Sequence, residues 1–258
     1  DMVRHMVLNS LWGYRTRFTE EYGELVLCYD NKTNWRREYF PNYKHGRRKD
    51  RKASKLDWGS IFDTLHLIKQ ELQDNFPYKV LEVENAEADD IIASVVSYVA
   101  QAPSHYEKVL IVSGDKDFIQ LQKHSFVTQY SPTLKKFVNG IDPHAYIKEH
   151  ILKGDRSDGV PNFLSPDNCF VDEMRQRPIS KKKMATWIDL EPEDFCNEEM
   201  LRNYQRNRTL IDLEYAPDEI NNACVQAYLN STVKDRSGLL NYFIKHRLKN
   251  HMENIGDF

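Results

Sequence analysis

Apolar positions recur at helical spacing from the first residues of the chain: Met2, Val3, Met6, Val7, Leu11 and Tyr14 predict a helix over about 2–20. A short apolar strand follows at 25–29 and stops at Asp30. Trp58, Ile61, Phe62, Leu65, Ile68 and Leu72 mark a second amphipathic helix near 57–74. A strand near 78–83, a helix over about 87–99 and a strand at 108–113 continue the alternation. A short helix is expected near Asp117, with edge strands around Tyr130 and at 135–138. This order predicts an α/β fold whose mainly parallel sheet is flanked by helices.

Beyond residue 140 the pattern changes. Helical spacing recurs at 142–153, 182–188, 198–213 and 218–229 with no convincing strand between, and Asn139-Gly140 punctuates the change. The expected division is an α/β domain over 1–140 and a smaller helical region over 141–258. The first helical pattern starts at Met2 with no strand before it, which reads as a chain cut from a longer protein.

Acidic residues stand where strands end or helices begin: Asp30 after the first strand, Glu87, Asp89 and Asp90 after the second, and Asp115 and Asp117 after the third. Taken singly, each has an ordinary structural explanation as a helix cap, a dipole partner or a turn residue. Taken together, in a parallel sheet they converge on the rim where ligands bind. Asp155 and Asp158 can join them from Gly154-Asp155-Arg156-Ser157-Asp158. Two like charges ~4 Å apart cost about 4 kcal/mol at an effective dielectric of ~20. Such a cluster therefore calls for cations or raised pKa values. Carboxylates with no His or Cys beside them suit Mg²⁺, with Mn²⁺ plausible, and two such ions suit phosphodiester hydrolysis.

Charge changes the picture further. The 258 residues carry a net charge of only −3, yet 35–56 holds nine Lys/Arg against two acids, a local +7 in a body of −10. Trp35, Tyr39, Phe40 and Tyr43 interleave with Arg36, Arg37, Lys44, Arg47 and Arg48. Cations neutralise phosphates and rings stack on unpaired bases, although a solvated loop is the plain alternative. Lys153, Arg156, Lys181, Lys182 and Lys183 are candidates for duplex phosphate contacts, or, for the three consecutive lysines, a solvated face. With 40% hydrophobic and 12% aromatic residues the chain is not a disordered tail. The longest apolar run, 25–29, is far too short to span a bilayer. Four cysteines without C-x-x-C spacing read as reduced thiols of a cytosolic protein.

In order along the chain stand Asp30, Trp35-Arg36-Arg37, Tyr43-Lys44-x-x-Arg47, Glu87-Ala88-Asp89-Asp90, Ser113-Gly114-Asp115-Lys116-Asp117-Phe118-x-Gln120-Leu121 and Gly154-Asp155-x-x-Asp158. This series resembles the flap-endonuclease-like 5′-nucleases, most of all the ribonuclease H (5′-exonuclease) branch of T-even-type bacteriophages, over essentially the whole chain. The resemblance implies a Mg²⁺-dependent enzyme that removes RNA primers and adjoining DNA from 5′ ends. It implies two ions held by Asp30, Glu87, Asp89, Asp115, Asp117 and Asp158, with Asp90 and Asp155 orienting ligands and waters. It also implies that Arg37, Tyr43, Lys44 and Arg47 belong to an arch that steers the 5′ strand and the scissile phosphate. The implied partners are RNA–DNA and DNA duplexes with 5′ ends or flaps and a phage single-stranded-DNA-binding protein. The implied setting is a monomer in the cytoplasm of an infected bacterium.

The chain departs from the family in two places. The family carries a further metal-site Asp on a strand upstream of the helix that here begins at Met2. After Gly-Asp-x-x-Asp, its glycine-rich hairpin is replaced by Gly159-Val160-Pro161-Asn162-Phe163-Leu164-Ser165. Two other functions follow as alternatives: an inactive DNA-junction-binding fragment, and a single-strand ribonuclease of the PIN type.

Overall fold

The computed structural model describes residues 2–101 and 108–258; the side chains of Arg48 and Asp50 lie outside the description. Helix α1 (Met2–Tyr22) leads into strand β1 (Val26–Tyr29). The basic stretch that follows folds into two short helices, α2 (Trp35–Tyr39) and α3 (His45–Ala53). Then come α4 (Trp58–Asn75), β2 (Lys79–Glu82), α5 (Ala88–Ala100) and β3 (Val109–Val112). A 3-10 helix over Lys116–Lys123 connects β3 to β4 (Val127–Ser131), and β5 (Lys136–Val138) folds back on it. The remainder is helical: α6 (Pro143–Lys153), α7 (Lys181–Ile188), α8 (Pro192–Phe195), α9 (Glu198–Ile211), α10 (Asp218–Asn230), α11 (Leu239–Lys245) and α12 (Lys249–Glu253).

The strands are short and form two pieces. β1 pairs parallel with β2, Cys28 opposite Leu81. β3 pairs parallel with β4, Ile111 opposite Gln129, and β4 pairs antiparallel with β5, Tyr130 opposite Phe137. The fold is thus helix-rich α/β with small, mainly parallel strand pairs, and among the described residues the strands do not join into one sheet.

Local chemistry sets the helix ends nearest the carboxylates. Asp90, third residue of α5, accepts the Glu87 amide at 2.9 Å, as in a capping box. Asp142 accepts the His144 amide at 3.0 Å ahead of Pro143 at the start of α6. Gly154 ends α6 at φ +68°, and a Cβ there would lie 2.4 Å from the Val160 carbonyl oxygen. No other residue fits that turn without moving backbone.

Four of the five apolar cores join residues before 140 to residues after it. The largest packs Leu8, Ile68, Leu72, Phe76 and Val80 with Leu239, Tyr242, Phe243, Leu248 and Phe258. Phe76 meets Tyr242 edge-on with ring centroids 5.1 Å apart. A second sets Phe40 and Tyr43 against Val160, Leu210 and Ile211, which fixes the basic stretch to the body. Cys224 of α10 lies under Leu81, Val83 and Ile91, and Leu213 closes the core of α5 and β3. The apolar stripe of α4 behaves differently from its pattern: Ile68 and Leu72 are buried, whereas Phe62 and Leu65 remain exposed.

Candidate metal centre and nuclease site

Three backbone segments bring carboxylates together. Asp89 is the second residue of α5, Asp115 and Asp117 follow β3, and Asp155 and Asp158 follow α6. Carboxylate oxygens of Asp89, Asp115 and Asp117 lie within 4.8 Å of one another, and Asp117, His150 and Asp155 form a second such group that shares Asp117. The loop bearing Asp115 is held from β4: buried Gln129 donates to the carbonyls of Ser113 (2.9 Å) and Asp115 (2.6 Å). Asp115 in turn accepts the Asp117 amide at 3.0 Å, fixing the spacing of the two acids. Asp155 accepts the Ser157 amide (2.7 Å) and hydroxyl (2.8 Å), so its carboxylate orientation is set by the turn it begins.

This crowding shows in the proton affinities. Burial, together with the charges of Asp115, Glu87 and Asp117, pushes the Asp89 carboxyl up to about 8. Burial also raises Asp117, to about 6: His150 opposes the rise, while Asp115, Asp155 and Asp158 add to it. Burial works against ionisation of Asp155 too, yet contacts from His150 and Ser157 hold it well below the usual carboxylate range. Carboxylates forced to share a site in this way fit a divalent cation, whose charge removes the repulsion that the protons otherwise relieve. Hard oxygen donors dominate the set, as Mg²⁺ and Mn²⁺ require.

Glu87 and Asp158 belong to neither group. Both are engaged by the basic stretch. The Tyr43 hydroxyl stands 2.9 Å from Glu87 Oε2 and 2.8 Å from Asp158 Oδ2. One phenolic proton cannot serve both acids at once. Lys44 supplies further charge, bonding Glu87 and lying 3.6 Å from Asp158, and Arg47 pairs with Asp158. Although burial opposes it, Lys44 and Arg36 hold Glu87 below the usual carboxylate range. Burial and the two adjacent carboxylates raise the Tyr43 phenol far above its ordinary value, so it stays a neutral donor. Asp30 sits apart in a third way: it is exposed, and it accepts the Ala88 amide at 2.8 Å at the N-terminus of α5.

Several expectations need correction. Arg36 is only 2% exposed and forks onto Asp90, NH1 to Oδ2 at 2.9 Å and NH2 to Oδ1 at 2.8 Å. Trp35 is buried as well, its indole NH 3.2 Å from Asp90 Oδ2. Neither Trp35 nor Arg36 faces solvent, so neither is a nucleic-acid contact; together they build the floor under the site. Asp90 is fully buried, its Oδ2 bonded by Arg36, Trp35 and the Glu87 amide and its Oδ1 by Arg36, so its bonds in this structure run to protein groups around Glu87. The site also contains a histidine where only carboxylates were expected. His150 gave no motif, but it lies five residues before Asp155 on α6, and a helix ending in a metal-site turn brings its last turn to the same place.

The other candidates remain at the surface. Arg37 is exposed on α2, and Lys181, Lys182 and Lys183 form the exposed first turn of α7. Arg156 lies over the Phe170 ring at 5.7 Å, and Lys153 pairs with Glu149. The Arg48 side chain lies outside the described residues.

An acidic cleft at the ends of parallel strands, floored by a buried Arg–Asp pair and rimmed by Tyr43, Lys44 and Arg47, defines a phosphodiester-cleaving class of protein. Sequence comparison agrees: residues 3–151 match the 5′-3′ exonuclease N-terminal resolvase-like domain, and residues 142–258 match the C-terminal domain of T4 RNase H. The ribonuclease H of Enterobacteria phage T4 is 34% identical over 267 residues, covering 100% of this chain and 87% of that protein. The chain belongs to the 5′-3′ exonuclease family, in its T4-type ribonuclease H branch, and is a 5′-nuclease of the exonuclease and flap-endonuclease kind. Solved structures share the fold. A T5 5′-exonuclease with bound zinc gives a TM-score of 0.58 at 17% identity, covering 86% of this chain and 90% of that one. A T5 D15 flap endonuclease in complex with DNA and metal ions gives 0.54 at 19%, covering 85% and 83%. The match over 142–258 leaves the PIN-type alternative without support. Among the described residues no helix is long and apolar enough to cross a membrane.

Proposed function

We propose that this protein is a divalent-metal-dependent 5′-nuclease that takes RNA primers and adjoining DNA from 5′ ends and flaps of RNA–DNA and DNA duplexes. Its setting is phage-type DNA replication, as a monomer in the cytoplasm of an infected bacterium, beside a single-stranded-DNA-binding protein. The observation that carries this reading is the convergence of Asp89, Asp115 and Asp117, with carboxylate oxygens within 4.8 Å of one another, beside a cationic rim. Asp89, Asp115, Asp117 and Asp155 would hold Mg²⁺, two ions being the arrangement that suits the chemistry, and Glu87 and Asp158, which line the same cleft, would serve through water, as would Asp30 at the N-terminus of α5. When bound there, such ions would supply a water of lowered pKa and charge stabilisation of the leaving oxygen.

The chain's own residues do the rest. Lys44 and Arg47 present cations at the cleft edge, where a scissile phosphate exchanges for the carboxylates they now neutralise. Tyr43, a neutral donor, holds whichever of Glu87 and Asp158 its one proton serves. Exposed Arg37, Tyr39 and Lys49 line the approach for the 5′ strand, and Lys153, Arg156 and Lys181–Lys183 offer charge to the duplex. The test is cleavage of a nicked duplex carrying a 5′-labelled RNA segment, in Mg²⁺ and in EDTA. Release of short labelled products in Mg²⁺ alone, lost in Asp117→Ala with DNA binding retained, is the expected result. Salt-dependent binding to flaps without cleavage in any divalent ion would instead make this chain a junction-binding fragment.

A further inference from the structure

The imidazole of His150 lies among the carboxylates with a nitrogen left over. Its Nδ1 is completely buried and has no hydrogen-bond partner. That nitrogen is 3.3 Å from Asp117 Oδ1, and Nε2 is 3.7 Å from Asp155 Oδ2. One ring nitrogen and one oxygen from each acid fall within 4.8 Å of one another, the spread that a single ion can gather. The ring is held from the side by Tyr146, one helical turn earlier on α6, whose centroid is 5.7 Å away in an edge contact. Its backbone is fixed by the turn that places Asp155, because the Gly154 amide donates to the His150 carbonyl at 2.8 Å. A buried ring nitrogen with no hydrogen-bond partner, 3.3 Å from a carboxylate oxygen, calls for either a proton or a metal cation between the two.

We infer that His150 contacts the divalent ion shared by Asp117 and Asp155, and that this nitrogen donor biases the site toward transition ions over Mg²⁺. The inference rests on the metal-dependent reading of the cleft and deepens it. Carboxylate oxygens alone discriminate little between Mg²⁺ and Mn²⁺, whereas an imidazole nitrogen binds Mn²⁺ and, more strongly, Co²⁺ in preference to Mg²⁺. His150 is therefore a specificity-determining residue for the ion. The opposite role is also chemically coherent: as an imidazolium, His150 would merely stand in for the ion, and its removal would strengthen the binding of every cation.

The experiment is calorimetric titration of Mg²⁺, Mn²⁺ and Co²⁺ into the full chain without DNA, for the parent, His150→Ala and His150→Asn. Visible absorption of the Co²⁺-loaded protein is recorded alongside. The expected result is a loss in Mn²⁺ and Co²⁺ affinity on the order of tenfold or more. Mg²⁺ affinity is expected to change less than about twofold, and the cobalt spectrum to shift on losing a nitrogen ligand. The ratio of Co²⁺ to Mg²⁺ affinity within each variant is the deciding quantity, since partial unfolding lowers both alike. Equal losses for all three ions with an unchanged spectrum, or a gain for all three, overturn the inference while leaving the metal site standing. Failure of the parent to bind any of the ions overturns the metal reading itself and the inference with it.

Discussion

The Lys44 amide donates to the Asp158 carbonyl at 2.7 Å, so the foot of α3 is pinned to the turn that carries two of the site carboxylates. Lys44 takes a left-handed conformation, φ +56°, to make this contact. On the other side Gly159, at φ +74°, comes so close that an added Cβ would meet the Asn42 carbonyl oxygen at 3.0 Å. Any movement of the cationic segment toward a substrate is thus felt at Asp158.

Lys44→Met keeps most of the side-chain stem and removes the ammonium shared by Glu87 and Asp158. Single-turnover cleavage is expected to slow on the order of a hundredfold, the scale of losing one preorganised electrostatic donor. Flap binding followed by fluorescence anisotropy should change far less. Equal losses in both would mean that Lys44 serves binding alone.

Arg36 and Asp90 form a buried pair that is broken at high cost. Arg36→Met leaves the Asp90 carboxylate uncompensated and should lower unfolding free energy by about 3–5 kcal/mol in urea titration. Arg37→Ala, one residue along but exposed, should stay within about 0.5 kcal/mol of the parent. Comparable effects at the two positions would contradict the division of labour between them.

Gly154→Ala forces a side chain against the Val160 and Pro161 carbonyls at a positive φ. The expected cost is about 1–3 kcal/mol or more, read as a lowered melting temperature. Divalent-ion affinity should weaken as well, because Asp155 starts at the next residue. A Gly46→Ala variant, where nothing lies within 4 Å, is the matched control.

Stability without metal should fall as pH rises. Asp89 moves from an ordinary 3.8 to about 8 in the folded chain, and Asp117 from 3.8 to about 6. Between those limits the folded state holds protons that the unfolded state has released, so unfolding becomes easier with each step upward in pH. The decline should run from about pH 4 to pH 8 and then level off. A bound cation takes over the protons' task, so the rise in melting temperature on adding Mn²⁺ should be larger at pH 8 than at pH 5.5. Thermal melts in EDTA and in Mn²⁺ at the two values decide it.

The alternation of β1, α4, β2, α5 and β3 was legible because each element repeats its own apolar period. The acids were legible because strand ends and helix starts are where such a fold collects ligands. Trp35 and Arg36 were misplaced for a reason local composition cannot escape. A cation among aromatics has the same letters whether it meets a phosphate or, as here, an aspartate 54 positions further along. Gln129 and His150 escaped notice likewise. Each acts through contacts set by tertiary packing, with no spacing rule to announce them. The exposed half of α4 shows the converse, a regular apolar stripe in which Phe62 and Leu65 stay partly exposed among the described residues.

Leu8 and Phe258 share one core, and this has a consequence in time. A ribosome adding roughly 5–20 residues per second finishes the partners of α1 on the order of tens of seconds after α1 itself emerges. Through that interval Leu8 has no finished core to enter. A segment made well before its partners is among the last to be sealed, so nascent chains stalled anywhere before 239–258 should present the apolar face of α1 to chaperones and proteases.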